Sequence, residues 1–190
     1  MGKKELAPEC LIPVRPIFLV GANVAGNPNF MEVGGGGLLS SEPPMITVPI
    51  RFKQYTLKGI LENWTFSVNI PSVKLAKEAD YCGIVSGAST DKVRDCDFKI
   101  SYGKLETAPM IDQCPVSMEC SVMQILRSDI HSIIIARVEG TYISEELVKE
   151  GKSDFDSLAP LLWFREKGEY FTLGTSVGKS RTIGQELKKS

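Results

Sequence analysis

Asn29-Phe30-Met31, Leu39-Ser40-Ser41, Arg51, Tyr55-Thr56, Ser86-Gly87 and Asp91-Lys92 are the residues whose types and order suggest chemistry. They set small polar donors and cations around the end of an apolar strand, Met45–Phe52, and the start of a helix at Thr56. That combination suits a planar ligand bearing a phosphate, because helix N-termini and cations both attract anions. Arg51, Lys53 and Lys92 are the candidate phosphate cations, since an anion leaving water needs charge-assisted donors. Lys53 reads more simply as a solvated surface charge. Thr56 adds its hydroxyl and a helix N-terminal amide. His131 is the only histidine, so any imidazole proton transfer must use it. Phe164, in Leu161-Leu162-Trp163-Phe164, either stacks on a ligand ring or fills core.

Other chemistries find little support. Gly34-Gly35-Gly36-Gly37 permits close backbone approach and exposed amides, but it is not a G-x-G-x-x-G turn. Gly21–Gly26 is followed by Asn-Pro-Asn rather than a helix, so a dinucleotide-binding βαβ unit is not expected. There is no G-x-S-x-G element, which argues against a serine hydrolase. Five cysteines without a C-x-x-C pair, and a single histidine, give poor grounds for a zinc or iron–sulfur site, so no metal is expected. The cysteines read as small apolar fillers in a reducing cytoplasm, with Cys10 the best candidate for a redox thiol.

The elements that must position these residues are mostly strands. Apolar runs are short, turn signals frequent, and several runs alternate with period two. Trp64, Phe66, Val68 and Ile70 would face one side of a half-buried strand, and Thr65, Ser67 and Asn69 the other. The alternation from Val116 slips at Met123, which predicts a β-bulge there. Ser128-Asp129 turns the chain into His131–Val138, whose Ile133–Ile135 run suggests a strand covered on both faces and paired as a hairpin with the one before it. Helices are few: one capped by Thr56 with Leu57, Ile60 and Leu61 on a stripe, one capped by Ser72, and one from Ser144 to Gly151.

Composition is that of an ordinary soluble globular protein, 43% apolar and 24% charged with a net charge of -1. No electrostatic case exists for nucleic acid or an anionic membrane. The first apolar stretch is broken by Pro8, Glu9, Pro13, Arg15 and Pro16, so it reads as neither a signal peptide nor a membrane span. One domain over residues 1–190 is expected, with its core at about 15–174 and a polar C-terminal arm at about 175–190.

Taken in order, Asn29-Phe30-Met31, Ser40-Ser41-Glu42-Pro43-Pro44, Arg51, Tyr55-Thr56, Phe66–Pro71, Ser86-Gly87 with Asp91-Lys92, and Asp129-Ile130-His131 resemble the flavin reductase-like, FMN-binding split-barrel family. Within it the likeness is greatest to the flavoredoxins. The resemblance implies a mainly β fold: an antiparallel, Greek-key split β-barrel with a few short helices. It implies FMN as cofactor, held by Asn29, Phe30, Met31, Leu39, Ser40, Ser41, Arg51, Tyr55, Thr56, Ser86, Gly87, Lys92 and Phe164. His131 would lie near the flavin ring edge or the electron donor, although Ile130 separates it from Asp129. Relatives often carry a bulkier residue within the stretch that is Gly34–Gly37 here. The resemblance further implies a homodimer that takes electrons from NAD(P)H or a redox protein. A carrier without turnover and a pyridoxamine-phosphate-oxidase-like enzyme remain the alternatives.

Overall fold

The computed structural model describes residues 2–149, 152, 153, 155 and 157–187. In chain order the elements are β1 (Val14–Pro16), β2 (Phe18–Val24), β3 (Asn27–Val33), β4 (Gly37–Ser41), β5 (Pro44–Arg51), α1 (Tyr55–Asn63) and β6 (Thr65–Ile70). Then come α2 (Ala76–Ile84), α3 (Lys92–Asp95), β7 (Ile100–Ser101), β8 (Met110–Ile111), β9 (Val116–Arg127) and β10 (His131–Ile143). The chain continues through β11 (Val148–Lys149), β12 (Lys152–Ser153), β13 (Leu162–Phe164) and β14 (Glu169–Phe171). The fold is mainly β and antiparallel, with few short helices.

Seven strands form the main sheet in the order β3-β2-β6-β9-β10-β5-β4. Its two edges, β3 and β4, are consecutive in sequence and joined only by Gly34, Gly35 and Gly36. Four residue steps reach at most about 14 Å, so the edges must meet and the sheet must roll into a barrel. The glycines sit on that seam. A Cβ on Gly36 would lie 2.8 Å from the Phe18 ring and 2.9 Å from the Thr47 carbonyl oxygen, and one on Gly35 would lie 3.2 Å from Pro49. None of these three needs a positive φ. The run serves close approach between strands, not a special backbone conformation.

Inside the barrel, Phe18, Val20, Met31, Val48, Ile50, Phe66, Val68 and Ile134 pack with Leu57 and Ile60 of α1. A second apolar cluster lies outside β2 and β3, where Ile17, Leu19 and Phe30 meet Ala79 and Cys82 of α2 and also Phe98. Strand β2 is therefore buried along its whole length.

Several local expectations change once both faces of the sheet are covered. Trp64 is not a strand residue: it ends α1 in a left-handed conformation (φ 57°) and is 53% exposed. Ser67 and Asn69 do not face water. The Asn69 side-chain amide donates to the Leu19 carbonyl at 2.9 Å, and its oxygen accepts from the Ile111 amide and the Ser117 hydroxyl. Beside them the fully buried Glu119 carboxylate accepts from the amides of Lys104 and Leu105 and from the Tyr142 hydroxyl. This polar layer fastens the 98–112 segment to the barrel, because a buried carboxylate is stable only when its oxygens are bonded.

The slip at Met123 is found: Ile135 pairs with Gln124 and Ala136 with Val122, leaving Met123 as the extra residue. The β9–β10 hairpin is also present. Strand β10 is covered on one face only in a single chain, with Ser132, Ile134 and Ala136 buried and Ile133 and Ile135 half-buried. Neither Ser72 nor Ser144 caps a regular helix with its side chain. Ser72 precedes a single 3-10 turn, Val73–Leu75, that leads into α2. After Ser144 comes only a 3-10 turn, Glu145–Leu147, which runs straight into β11; Gly151 lies outside the described residues. Among the described residues, no helix is long and apolar enough to cross a membrane.

Candidate functional site

The first turn of α1, the start of β3 and the loop after α2 line a cavity of about 590 Å³. Asn29, Tyr55, Gly87 and Lys92 all line it. Thr56 does not cap α1: Gln54 is the N-cap residue, without a side-chain bond, and Thr56 lies inside the first turn at 1% exposure. Its Oγ1 accepts from Asn29 Nδ2 at 2.6 Å. Asn29 is thereby held between strand and helix. Leu61, expected on the inward stripe with Leu57 and Ile60, is 42% exposed instead.

Gly87 is required by packing. A Cβ there would run into Asn29 Oδ1 and come within 2.9 Å of the Tyr55 ring. Ser86 shapes the same loop, since its carbonyl accepts from the Ser89 amide at 3.1 Å and its hydroxyl from the Ala88 amide at 3.3 Å. Asp91 caps the four-residue α3 by accepting from the Arg94 amide.

Lys92 departs from the simple phosphate cation that its sequence context suggests. It is 4% exposed, and its Nζ donates to the Phe30 carbonyl at 2.9 Å and to the Cys82 carbonyl at 2.8 Å. Two of its three donors thus tie β3 to the end of α2. Burial pushes the ammonium below the ordinary lysine range. No carboxylate pairs with it among the described residues. Lys92, a residue of the cavity lining, therefore carries a buried positive charge without a counter-charge among the described residues, and one donor remains on its ammonium.

Phe30 and Met31 also differ from the expected ligand contacts. The Phe30 ring is fully buried and packs edge-on to Phe98, with centroids 5.8 Å apart, while the Met31 side chain lies in the barrel core. Only their main chain is left to meet a ligand. Leu39, Ser40 and Ser41 are at the other end of β5. Ser40 faces Met45, whereas Arg51 lies six residues further along the same strand, about 20 Å away at strand rise. Within one chain these three are not neighbours of Thr56.

Arg51 and His131 are direct cross-strand partners on β5 and β10, and the Phe52 amide donates to the Ile130 carbonyl at 3.2 Å beside them. The turn Arg51–Gln54 then delivers Tyr55 and Thr56 to the cavity, with the Gln54 amide donating to the Arg51 carbonyl. Lys53 is exposed and, with Arg51, Phe52, Asp129 and Ile130, lines a separate hollow of about 380 Å³.

Phe164 lies on β13, in a small sheet with β1 and β14. Its ring meets Phe171 edge-on at 6.0 Å and Lys167 at 5.4 Å, not the cavity. Its neighbour Trp163 is the aromatic ring on the glycine seam, 3.0 Å from a Cβ placed on Gly34. Successive strand residues face opposite sides, so only one of the two can do this. The absence of a side chain at Gly34 was the sequence signal for Trp163.

The Flavin reductase like domain model matches residues 14–174, nearly the whole barrel and the β13–β14 sheet. The chain belongs to the flavin reductase-like family. Among solved structures it is similar to a flavoredoxin from Methanosarcina acetivorans, 34% identical, covering 99% of this chain and 100% of that one with a TM-score of 0.93. The flavoredoxin of Desulfovibrio vulgaris (Miyazaki F) is 28% identical, with coverage of 97% and 100% and a TM-score of 0.88. A protein of Archaeoglobus fulgidus is 26% identical over 149 residues, which is 78% of this chain and 82% of that one. As a flavin reductase-like protein with these neighbours, the chain has a flavin-binding redox function, and it is similar to flavoredoxins.

Proposed function

We propose that the chain binds FMN, with the phosphate directed to the cavity lined by Asn29, Tyr55, Gly87 and Lys92, and passes electrons from a reduced nicotinamide or a protein donor to a second acceptor. The observation that carries this reading is the buried ammonium of Lys92, a residue of the cavity lining, bonded to two carbonyls but to no carboxylate among the described residues. A buried cation left without a counter-charge favours an anionic ligand. A terminal phosphate supplies that charge, and the Thr56 hydroxyl, still holding a hydrogen after accepting from Asn29, adds a neutral donor. No second nucleotide-sized glycine-rich turn accompanies the cavity, which favours FMN over FAD.

Bound FMN supplies the hydride and electron chemistry. The chain's own residues would hold and orient it: Lys92 sets charge, Asn29 and Thr56 fix the phosphate end, and Arg51 and His131 stand together at the adjoining strand ends. His131 is the positioned imidazole for a proton or donor contact near the redox centre. Homodimerisation belongs to the same reading. Pro49, Ile133 and Leu126 are cross-strand neighbours on the outward face of β5, β10 and β9, and Ile133 is only half-buried in one chain. A second copy laid on this face covers it and brings new walls to the site.

The test begins with the cofactor released by heat from the purified protein, which should run as FMN; recovery of FAD rejects the assignment. NADH and NADPH oxidation, with and without added flavin, then separates an enzyme from a carrier that needs a protein donor. Sedimentation should report a dimer whose dissociation on dilution loosens the flavin with the subunits.

A further inference from the structure

Side chains from β3, α2 and β14 meet on the outer side of the barrel. Glu32 of β3 shares its face with its cross-strand partner Leu19, and a Cβ on Gly83 of α2 would run into Glu32 Oε2. The Tyr170 hydroxyl of β14 lies 2.8 Å from Glu32 Oε1 and 3.0 Å from Asp80 Oδ1 of α2. A phenol has one hydrogen to donate, and an ionised carboxylate has none. While both carboxyls are charged, that hydrogen fully serves only one of the two contacts. Both close when one carboxyl carries a proton and donates it to the Tyr170 oxygen, leaving the hydroxyl hydrogen for the other. Glu32 is the carboxyl to hold this proton, since it is half-buried while Asp80 is exposed to water.

We propose that Glu32, Tyr170 and Asp80 form a proton-operated clasp, in which a proton on Glu32 ties the β13–β14 hairpin to α2 and its loss frees Tyr170 from Asp80. The clasp is independent of the flavin reading given above. Burial raises the Glu32 carboxyl above the ordinary glutamate range, the Tyr170 bond opposes this, and the nearby Asp80 charge adds to the rise. A carboxyl raised in the folded state contributes stability that is whole below its unfolded value and lost as pH rises through its folded value. The clasp is therefore closed on the acid side. Once ionised, the half-buried Glu32 keeps the hydroxyl hydrogen, because Asp80 can turn to water instead. No other charge on the packed elements takes over either role. Strand β2 presents the apolar Leu19, and α2 adds Cys82 near Glu32 and Glu78 near Cys96. Lys92 of α3 donates to the Phe30 and Cys82 carbonyls. Arg15 of β1 lies over the Trp163 ring at 5.8 Å, and Glu169 of β14, adjacent to Tyr170, faces the other side of the hairpin. Neither Glu32 nor Asp80 has an ion-pair partner among the described residues.

The experiment uses the full chain carrying Trp64→Phe, which leaves Trp163 as the only tryptophan. Trp163 is the cross-strand partner of Tyr170, so its emission reports the hairpin at the clasp. As pH rises the emission should shift to the red in one step, and the Glu32 carboxyl resonance in NMR should titrate with the same midpoint, above the ordinary glutamate value of 4.5. Glu32→Gln should remove the step and hold emission at its acid-side position, because the amide donates to the Tyr170 oxygen at every pH. Asp80→Asn, at an exposed position, is the second variant. Its amide donates to the same oxygen and leaves the hydroxyl hydrogen to an ionised Glu32. The emission step should vanish and the Glu32 midpoint should fall by about one pH unit, a tenfold loss of proton affinity. A Glu32 midpoint at or below 4.5 in the parent overturns the clasp. So does an emission step that survives Glu32→Gln, or a Glu32 midpoint that Asp80→Asn leaves unmoved. If Glu32→Gln does not fold, the parent and Asp80→Asn titrations decide alone.

Discussion

Replacing Lys92 with methionine separates its two duties. The substitution keeps most of the volume but removes the charge and both bonds, to the Phe30 and Cys82 carbonyls. Each buried carbonyl left without a donor costs about 1–3 kcal/mol. Against this stands the relief of no longer burying an ammonium, the same burial that lowers its pKa. The two effects oppose each other, so the apoprotein should lose only about 1–3 kcal/mol, read as a lower urea midpoint at unchanged slope. Flavin binding should suffer separately, because the counter-charge for the phosphate is gone: a tenfold to hundredfold rise in dissociation constant, or about 1.4–2.8 kcal/mol. Flavin fluorescence titration measures it. Lys53→Ala, at an exposed position, should change affinity by no more than a few-fold. Thr56→Val, losing one neutral bond to Asn29, should fall between them. A folded Lys92→Met protein that binds FMN as tightly as the parent would refute the argument, and equal losses at Lys92 and Lys53 would do the same.

Gly36→Ala should destabilise the barrel by about 1–3 kcal/mol, since the new methyl must displace the Phe18 ring or the Thr47 carbonyl; Gly37→Ala, with open space, is the control in the same urea titration. His131→Asn should slow reduction of bound FMN in rapid mixing at unchanged flavin occupancy; an unchanged rate returns His131 to a purely structural role. Stability should decline above pH 9. Burial pushes the Cys120 thiol up to about 12 in the folded state from 9.0, so the folded chain holds its proton longer and the contribution is whole below pH 9 and lost as pH rises toward 12. Cys120→Ala should remove about 1.4 kcal/mol of the stability lost between pH 7 and pH 10, read from urea unfolding at those two pH values, and an unaltered difference would discount the thiol.

How much was legible in the sequence follows from the range of the interactions involved. Period-two alternation fixed the antiparallel strands, and its slip at Met123 located the bulge, because strand facing is a local property of the backbone. The ordered set of segments marked the family without any single decisive motif. Asn29, Tyr55, Gly87 and Lys92 were singled out by residue type and order, and the fold gathers all four around one cavity. What their side chains do there was not readable. Lys92 spends two donors on carbonyls distant in the chain, Phe30 turns its ring into a second core, and Trp163 rather than Phe164 meets the glycine seam. Ser67 and Asn69 looked solvent-facing because alternation reports polarity, not what a later segment lays over it. The four glycines looked like a loop or a ligand cradle, yet Gly34–Gly36 let the sheet close on itself. Local pattern determines which residues share a face. Only the rolled sheet decides which faces meet, since that depends on contacts between segments far apart in the chain.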